Sequence, residues 1–245
     1  MIRPRIKAGN SKKLYSVTAL RQETNLARGR YGEGMTLPEF KIWMITASQD
    51  SLNLETTATE LCSLANLNGY GVRKYVMVQE FLTALLKREV HFLTQDLEKG
   101  TFRFTGFPLL AEASYEEGGK AAIQINPKLA PYIHNLKRRF TSINLKELLS
   151  VSSYYQARLY MLVCSCKALQ FMGARTFSIP DLAAALGIPF KQGEERFVIR
   201  QIRECQKALQ KTTSLSFFLT VLKTGRKISA VRFDFPKPLA KNSVL

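Results

Sequence analysis

Four cations fall on one side of a single stretch of this sequence. On a helix from about Glu194 to Lys211, turning about 100° per residue, Arg196, Arg200, Arg203 and Lys207 lie within an arc of about 60°. Val198, Ile202, Cys205 and Leu209 repeat that spacing two residues out of phase, on nearly the opposite side. Such a helix is anchored by one face and presents a row of positive charge with the other. Its width fits the major groove of duplex DNA, where an arginine fork bonds O6 and N7 of guanine and a lysine reaches phosphate. Lys191 precedes the helix, and Lys223, Arg226 and Lys227 surround a Thr224-Gly225 turn, placed where a wing touches the flanking DNA backbone or minor groove. Arg73 and Lys74 open a helix in the first half whose stripe is diluted by Glu80 and Glu89, so they are expected to hold phosphates rather than read bases. The alternative is a solvated basic surface, with Glu194, Glu195 and Glu204 as partners within the last helix.

Other chemistries find little support. No G-x-x-x-x-G-K-[ST] motif is present, which argues against an ATPase, and Gly69-Tyr70-Gly71 lacks the third glycine of a dinucleotide loop. Tyr154-Tyr155 suggests a nicking tyrosine, but a metal-dependent nickase needs clustered histidines, and His91 and His134 stand alone. Cys164 and Cys166, two apart on a helix, point away from each other and cannot share a metal. The sequence is therefore expected to be neither an enzyme nor a cofactor or metal carrier, and Cys62, Cys164, Cys166 and Cys205 are expected as buried thiols of a reducing compartment.

The charge balance agrees with a polyanionic partner. Thirty-six Lys and Arg against nineteen Asp and Glu give a net charge of +17 over 245 residues. Both halves share it: twenty basic residues face thirteen acidic ones up to Phe140, and sixteen face six beyond it. Hydrophobic residues make up 46% of the chain, enough for a substantial core. No apolar run approaches the ~18 residues of a membrane span, so a soluble, cytoplasmic protein is expected.

Residues 1–35, with eight basic side chains from Arg3 to Arg30 against Glu23 and Glu33, read as a flexible basic arm. Order is expected to begin at Thr36-Leu37-Pro38-Glu39, a capping-box start for a helix through Phe40, Trp43, Met44 and Ala47. A short helix (Thr57 to Leu67) stops at Asn68-Gly69, and a longer one (Val72 to Val90) carries Val78, Leu82 and Leu85 as its seam. Strands at Thr101 to Phe107 and Ala121 to Ile125 follow, joined by a loop with Gly118-Gly119. The second half repeats the order. A helix near Leu145 to Leu149 leads to a long one (Tyr154 to Phe171), then Ser178-Ile179-Pro180-Asp181 starts a short helix ended by Gly187. The cationic helix and strands Ser214 to Leu222 and Lys227 to Phe235 complete it. Gly69 and Gly187 would occupy equivalent turns. The expected fold is α+β, mainly helical, with tandem winged helix-turn-helix domains at 36–140 and 141–238 and a tail at 239–245.

One segment resembles a known family. "INPKLAPYIHNLKRRFTSINLKELLSVSSYYQARLYMLVCS" (residues 125–165) is similar to the segment joining two winged-helix domains in the theta-type, iteron-binding plasmid replication initiators. The likeness includes Leu129 to Leu136, Phe140-Thr141, Leu145, Leu148, Leu149, Tyr155 and Arg158-Leu159-Tyr160. "FSIPDLAAALGIPF" resembles that family's helix-turn-helix start and "KTGRKISAVRFDF" its wing, while the region from Met35 to Val90 is similar more loosely. The resemblance implies a protein that binds direct repeats at a plasmid origin as a monomer, helps melt an adjacent A·T-rich segment and recruits a host helicase or initiator. It also implies a monomer–dimer equilibrium, with dimers formed through the first domain repressing the protein's own promoter. Base reading would fall on Arg196, Arg200, Arg203 and Lys207. The long basic arm and the glycine-containing loop at 111–120 depart from the family pattern. A tandem winged-helix transcription regulator and a relaxase are the competing readings.

Overall fold

Three strands in this protein end on a residue that also caps the helix behind it, so chain direction changes without a loop. Thr57 closes strand β3 (Asn53–Thr57) and caps a helix over Ala58–Leu64, its hydroxyl accepting from Glu60 N while Glu60 reaches back to Thr57 N. Asn144 likewise ends a strand and caps a helix at Leu145–Ser150 by accepting from Glu147 N, and Ser178 caps one at Ile179–Leu186 by accepting from Asp181 N. Short polar side chains compete for backbone groups at the moment the ladder ends, which is what makes them helix starters.

The computed structural model describes residues 19–31, 34–95, 102–116, 118–134, 136, 140–167 and 175–236. Ahead of β3 lie β1 (Ala19–Glu23), α1 (Thr24–Ala27), β2 (Arg30–Tyr31) and α2 (Leu37–Ala47). After β3 come α3 (Ala58–Leu64), a 3-10 turn (Asn68–Arg73), α4 (Lys74–Leu86), β4 (Glu89–Gln95), β5 (Phe102–Pro108), β6 (Leu110–Tyr115) and β7 (Lys120–Ile125). Beyond a short α5 (Ala130–Ile133), β8 (Phe140–Asn144) opens a second series: α6 (Leu145–Ser150), α7 (Tyr154–Lys167), β9 (Arg175–Ser178), α8 (Ile179–Leu186), α9 (Glu195–Thr212), β10 (Phe218–Thr224) and β11 (Lys227–Asp234).

Two three-stranded antiparallel sheets share one topology. In the first, β3 pairs with β7 and β7 with β6. In the second, β9 pairs with β11 and β11 with β10. Each sheet thus takes a strand from between the first two helices of a three-helix set and adds it to the outgoing strand of the hairpin that follows the third helix. The first series carries an extra hairpin, β4–β5, which forms a separate sheet with β2. Sequence periodicity assigned residues 101–107 and 121–125 to one hairpin. They lie in different sheets, and the hairpin closed by Gly118-Gly119 (φ +96° and +85°) is β6–β7. Val90, expected at the end of a helix, instead opens the buried side of β4.

The expected flexible arm needs correction. Residues 1–18, like those after Pro236, lie outside the described residues, but 19–31 are folded. β1 pairs along its full length with β8, and Leu26 and Ala27 are fully buried. The expected domain boundary at 140/141 therefore falls inside a strand paired to the chain's N-terminal segment. Few large apolar residues mark 19–31, so periodicity passed over a segment whose contribution is mainly backbone pairing.

The capping box of Thr36 and Glu39 is present as expected. Helix α2, however, is buried all round from Glu39 to Ala47, including Lys41. It sits between the two series, with Phe40 edge-on to Tyr31 (5.4 Å) and to Tyr154 (5.3 Å). A helix enclosed on every side has no polar face to show, and its run FKIWMITA has almost none.

Candidate nucleic-acid interface

Helix α9 has the two faces that its sequence predicts. Val198, Ile202, Cys205 and Leu209 are buried, joined by Ile199, whereas Arg196, Arg200, Arg203 and Lys207 are all exposed. Two of the three acidic residues that could neutralise the row, Glu194 and Glu195, are turned to the preceding loop, while Glu204 lies beside the row. Glu194 accepts from Lys191 N at 2.9 Å and Glu195 from Gly193 N at 3.2 Å, both within the preceding loop. Among the described residues no ion pair involves the four cations. Lys191 is exposed on that same loop.

The row does not stand alone. Arg196, Arg200, Arg203 and Lys207, with Ile199 and Glu204, form one wall of a groove of about 460 Å³ whose other wall is Val221, Lys223 and Ile228 of the β10–β11 hairpin. Beyond that wall Arg226 and Lys227 are exposed at the hairpin tip, where Gly225 takes φ +60°. The pairing slips at Leu222/Lys223, a bulge that twists the tip relative to the hairpin root. All eight basic positions expected in the second half are thus solvent-accessible, and five of them line one groove.

Helix and hairpin are held in register. Gln206 and Gln210 both donate to the Phe217 carbonyl, at 2.9 and 3.2 Å, tying α9 to the start of β10. Phe233 packs between Phe177 and Phe217, with ring centroids 5.8 and 5.9 Å away. Behind the helix, Glu147 accepts from Ser214 N and from Tyr160 Oη, fixing the chain as it leaves α9.

The turn that aims α9 is a left-handed cap. Gly187 has φ +72°, and Ile188 N returns to the Ala183 carbonyl at 2.9 Å. The first series uses the same device, but its left-handed residue is Asn66 (φ +55°), with Leu67 N returning to the Cys62 carbonyl at 2.7 Å. Gly69, expected as the counterpart of Gly187, lies instead in the 3-10 turn after it. Asparagine tolerates this backbone region better than most side chains, so the turn in the first series carries no glycine to mark it in the sequence.

Arg158, which the sequence offered only as part of a signature, is a structural centre. It is 1% exposed, yet among the described residues no carboxylate pairs with it. Its guanidinium donates twice to the Ala185 carbonyl at the end of α8 (3.2 and 3.0 Å) and once to the Gly29 carbonyl. It also lies over the Tyr31 ring at 4.5 Å. One buried cation thus connects the N-terminal segment, α7 and the turn that orients α9. Nothing in residue spacing signals this, because the partners are backbone oxygens.

In the first series Arg73 is exposed at the head of α4, while Lys74 is half-buried, its Nζ 5.2 Å from the Tyr75 ring centroid. Arg88 is committed to Glu39 at 3.0 Å and to the Gly34 carbonyl. Tyr154 and Tyr155 pack at the start of α7, and Tyr154 abuts Gly187. Burial pushes the thiols of Cys164 and Cys205 up to about 12 and about 11. His91 stacks on Phe104, and burial lowers the pKa of His134. Among the described residues, no three His, Cys, Asp or Glu side chains are grouped to hold a metal, and no helix is long and apolar enough to cross a membrane.

These features define a continuous cationic surface on a mixed helix-and-strand scaffold. The family follows from the sequence match: the profile described as "Initiator Replication protein, WH1" matches residues 19–164. The chain belongs to the initiator replication protein family. Its match starts where β1 starts, in keeping with a folded segment ahead of α2. Among solved structures the chain is similar to the Pi initiator protein in complex with iteron DNA, with a TM-score of 0.68 and 20% identity over 89% of this chain and 96% of that one. That likeness establishes a shared fold. A weaker one, to domains 2 and 3 of RctB, has a TM-score of 0.46 at 12% identity, over 81% of this chain and 80% of that one.

Proposed function

We propose that this protein initiates plasmid replication by binding direct repeats, or iterons, at the origin, with α9 in the major groove and the β10–β11 hairpin against the flanking backbone. The observation that carries the reading is the groove in which the unpaired cations of α9 face the hairpin lysine. The paired topology of the two series supports tandem winged helices, with recognition in the second and phosphate contacts from Arg73 and Lys74 in the first. The Pi initiator, whose fold this chain shares, is bound to iteron DNA. Recruitment of a host helicase or initiator, dimerisation through the first domain, repression of the protein's own promoter and a cytoplasmic, plasmid-associated location follow from the same reading.

Footprinting on the replicon that encodes the protein, with affinity for random duplex titrated against salt, tests it. Regular protection of tandem direct repeats is the expected result. Protection of a single inverted repeat would make the protein a regulator, and uniform salt-sensitive binding would leave α9 as charge without a code.

A further inference from the structure

One large apolar side chain on α9 is not used by the core. Phe197 is 40% exposed. The buried residues of α9 centre roughly opposite the direction of Arg200 and Lys207, and Phe197 lies about 60° from Arg200 around the helix, still on the outward face. It is also in the first turn, the end of a recognition helix that meets base edges. A single exposed phenylalanine needs no explanation by itself. This one has a partner: the Arg200 guanidinium sits over its ring, 5.6 Å from the centroid, within cation–π range. The ring thus supports the arginine best placed to read guanine, and it carries its own apolar surface into the same space.

The major groove offers one apolar group, the C5-methyl of thymine. Phe197 and Arg200 are three residues apart, about 4.5 Å along the helix axis, which approximates the ~3.4 Å step between base pairs. We propose that Phe197 and Arg200 read a two-base-pair step as a unit: Phe197 packs on a thymine methyl, and Arg200, held by the ring, bonds the neighbouring guanine. This rests on the proposal that α9 reads bases, and it names which chemistry the first turn selects.

Uracil in place of thymine removes that methyl and nothing else. Once the protected site is known, each thymine in it is replaced singly by deoxyuridine, and affinity is measured for the full-length protein and for Phe197→Ala and Phe197→Leu. For the unmodified protein, one thymine beside a guanine is expected to cost about three- to fivefold on replacement, the size of one methyl group's transfer from water. Phe197→Ala should bind the thymine and uracil sites equally at that position while keeping the losses at any others. Phe197→Leu should retain the methyl effect but discriminate less against replacement of the adjacent guanine, because Arg200 loses its aromatic support. Equal affinity of all three proteins for random duplex at low salt verifies that the variants are folded. If every uracil replacement costs Phe197→Ala as much as the parent protein, while both still prefer the site to random duplex, the Phe197 inference fails and base reading by α9 stands. If the parent protein shows no preference for any site over random duplex, base reading fails and takes this inference with it.

Discussion

Arginine and lysine do different work on this surface, and substitutions can separate them. Arg200 and Arg203 project from the outward face of α9 and, among the described residues, form no ion pair, so their planar forks are available to guanine edges. Arg200→Ala or Arg203→Ala is expected to weaken specific binding by about 1–3 kcal/mol and to relax base preference at one position. Equal loss on specific and random duplex would reduce both to phosphate contacts. Lys227, exposed at the hairpin tip, should behave in the opposite way. Lys227→Ala is expected to weaken binding evenly across sequences and to lower the log–log salt slope by about one, measured by titration from low to physiological salt. An unchanged slope would remove Lys227 from the contact surface. Arg158 sets the third case, because its charge is spent inside the protein. Arg158→Lys keeps the charge but loses the fork that grips Ala185 and the flat face over Tyr31. We expect it to destabilise the fold by about 2–3 kcal/mol in urea unfolding, since hydrogen bonds to charged groups are each worth about 1.5–3 kcal/mol and a lysine recovers only some of them. Native-like stability would mean that the guanidinium geometry is dispensable.

At the scale of elements, what was legible in the sequence was local. Capping residues located the starts of α2 and α8, the Asn68-Gly69 stop bounded α3, periodicity of cations and apolar residues located α9, and alternation of Val231, Phe233 and Phe235 with polar neighbours located β11. Strands β3, β4 and β6 were missed because they are short or half-buried, and their register is set by partners distant in sequence. The cationic row was legible for the same reason as the helices: it depends on one element's own periodicity. The facing wall of the groove and the Arg158 centre were not, since both are made by tertiary contact. The two turns after α3 and α8 show how one geometry admits two residues. At Gly187 a methyl group would meet Tyr154 at 3.0 Å and would be strained by φ +72°. At Asn66 the side chain is accommodated and its amide donates to the Leu149 carbonyl at 3.3 Å. Gly187→Ala should therefore be destabilising by more than about 1 kcal/mol, and it should also misdirect α9 and reduce specific DNA binding. Asn66→Ala should cost about 1 kcal/mol in stability with recognition by α9 intact. Equal binding defects in the two variants would show that the first turn also orients the reading helix.

For the whole molecule the question is what joins the two series, and the contacts point to the N-terminal segment. β1 pairs with β8 immediately before α6, Leu26 and Ala27 lie in the shared core, and Gly29 supplies a carbonyl to Arg158 while Tyr31 supplies a ring. Asn66 reaches Leu149, and Phe40 reaches Tyr154, across the same junction. Removing residues 1–18 takes away none of these contacts. Removing residues 1–31 takes away strands β1 and β2, the buried side chains of Leu26, Ala27 and Tyr31, and the Gly29 carbonyl that accepts from buried Arg158, whose loss leaves a buried charge unsatisfied. The shorter deletion is therefore expected to unfold in a single transition within a few degrees of the intact chain, and the longer one to be insoluble or to unfold in two separate steps as the two series uncouple. Circular dichroism melts of both proteins decide it. If the longer deletion melted like the intact chain, the junction would be carried by α2 and α7 alone. The N-terminal segment would then be an addition to the fold and not the piece that joins its halves.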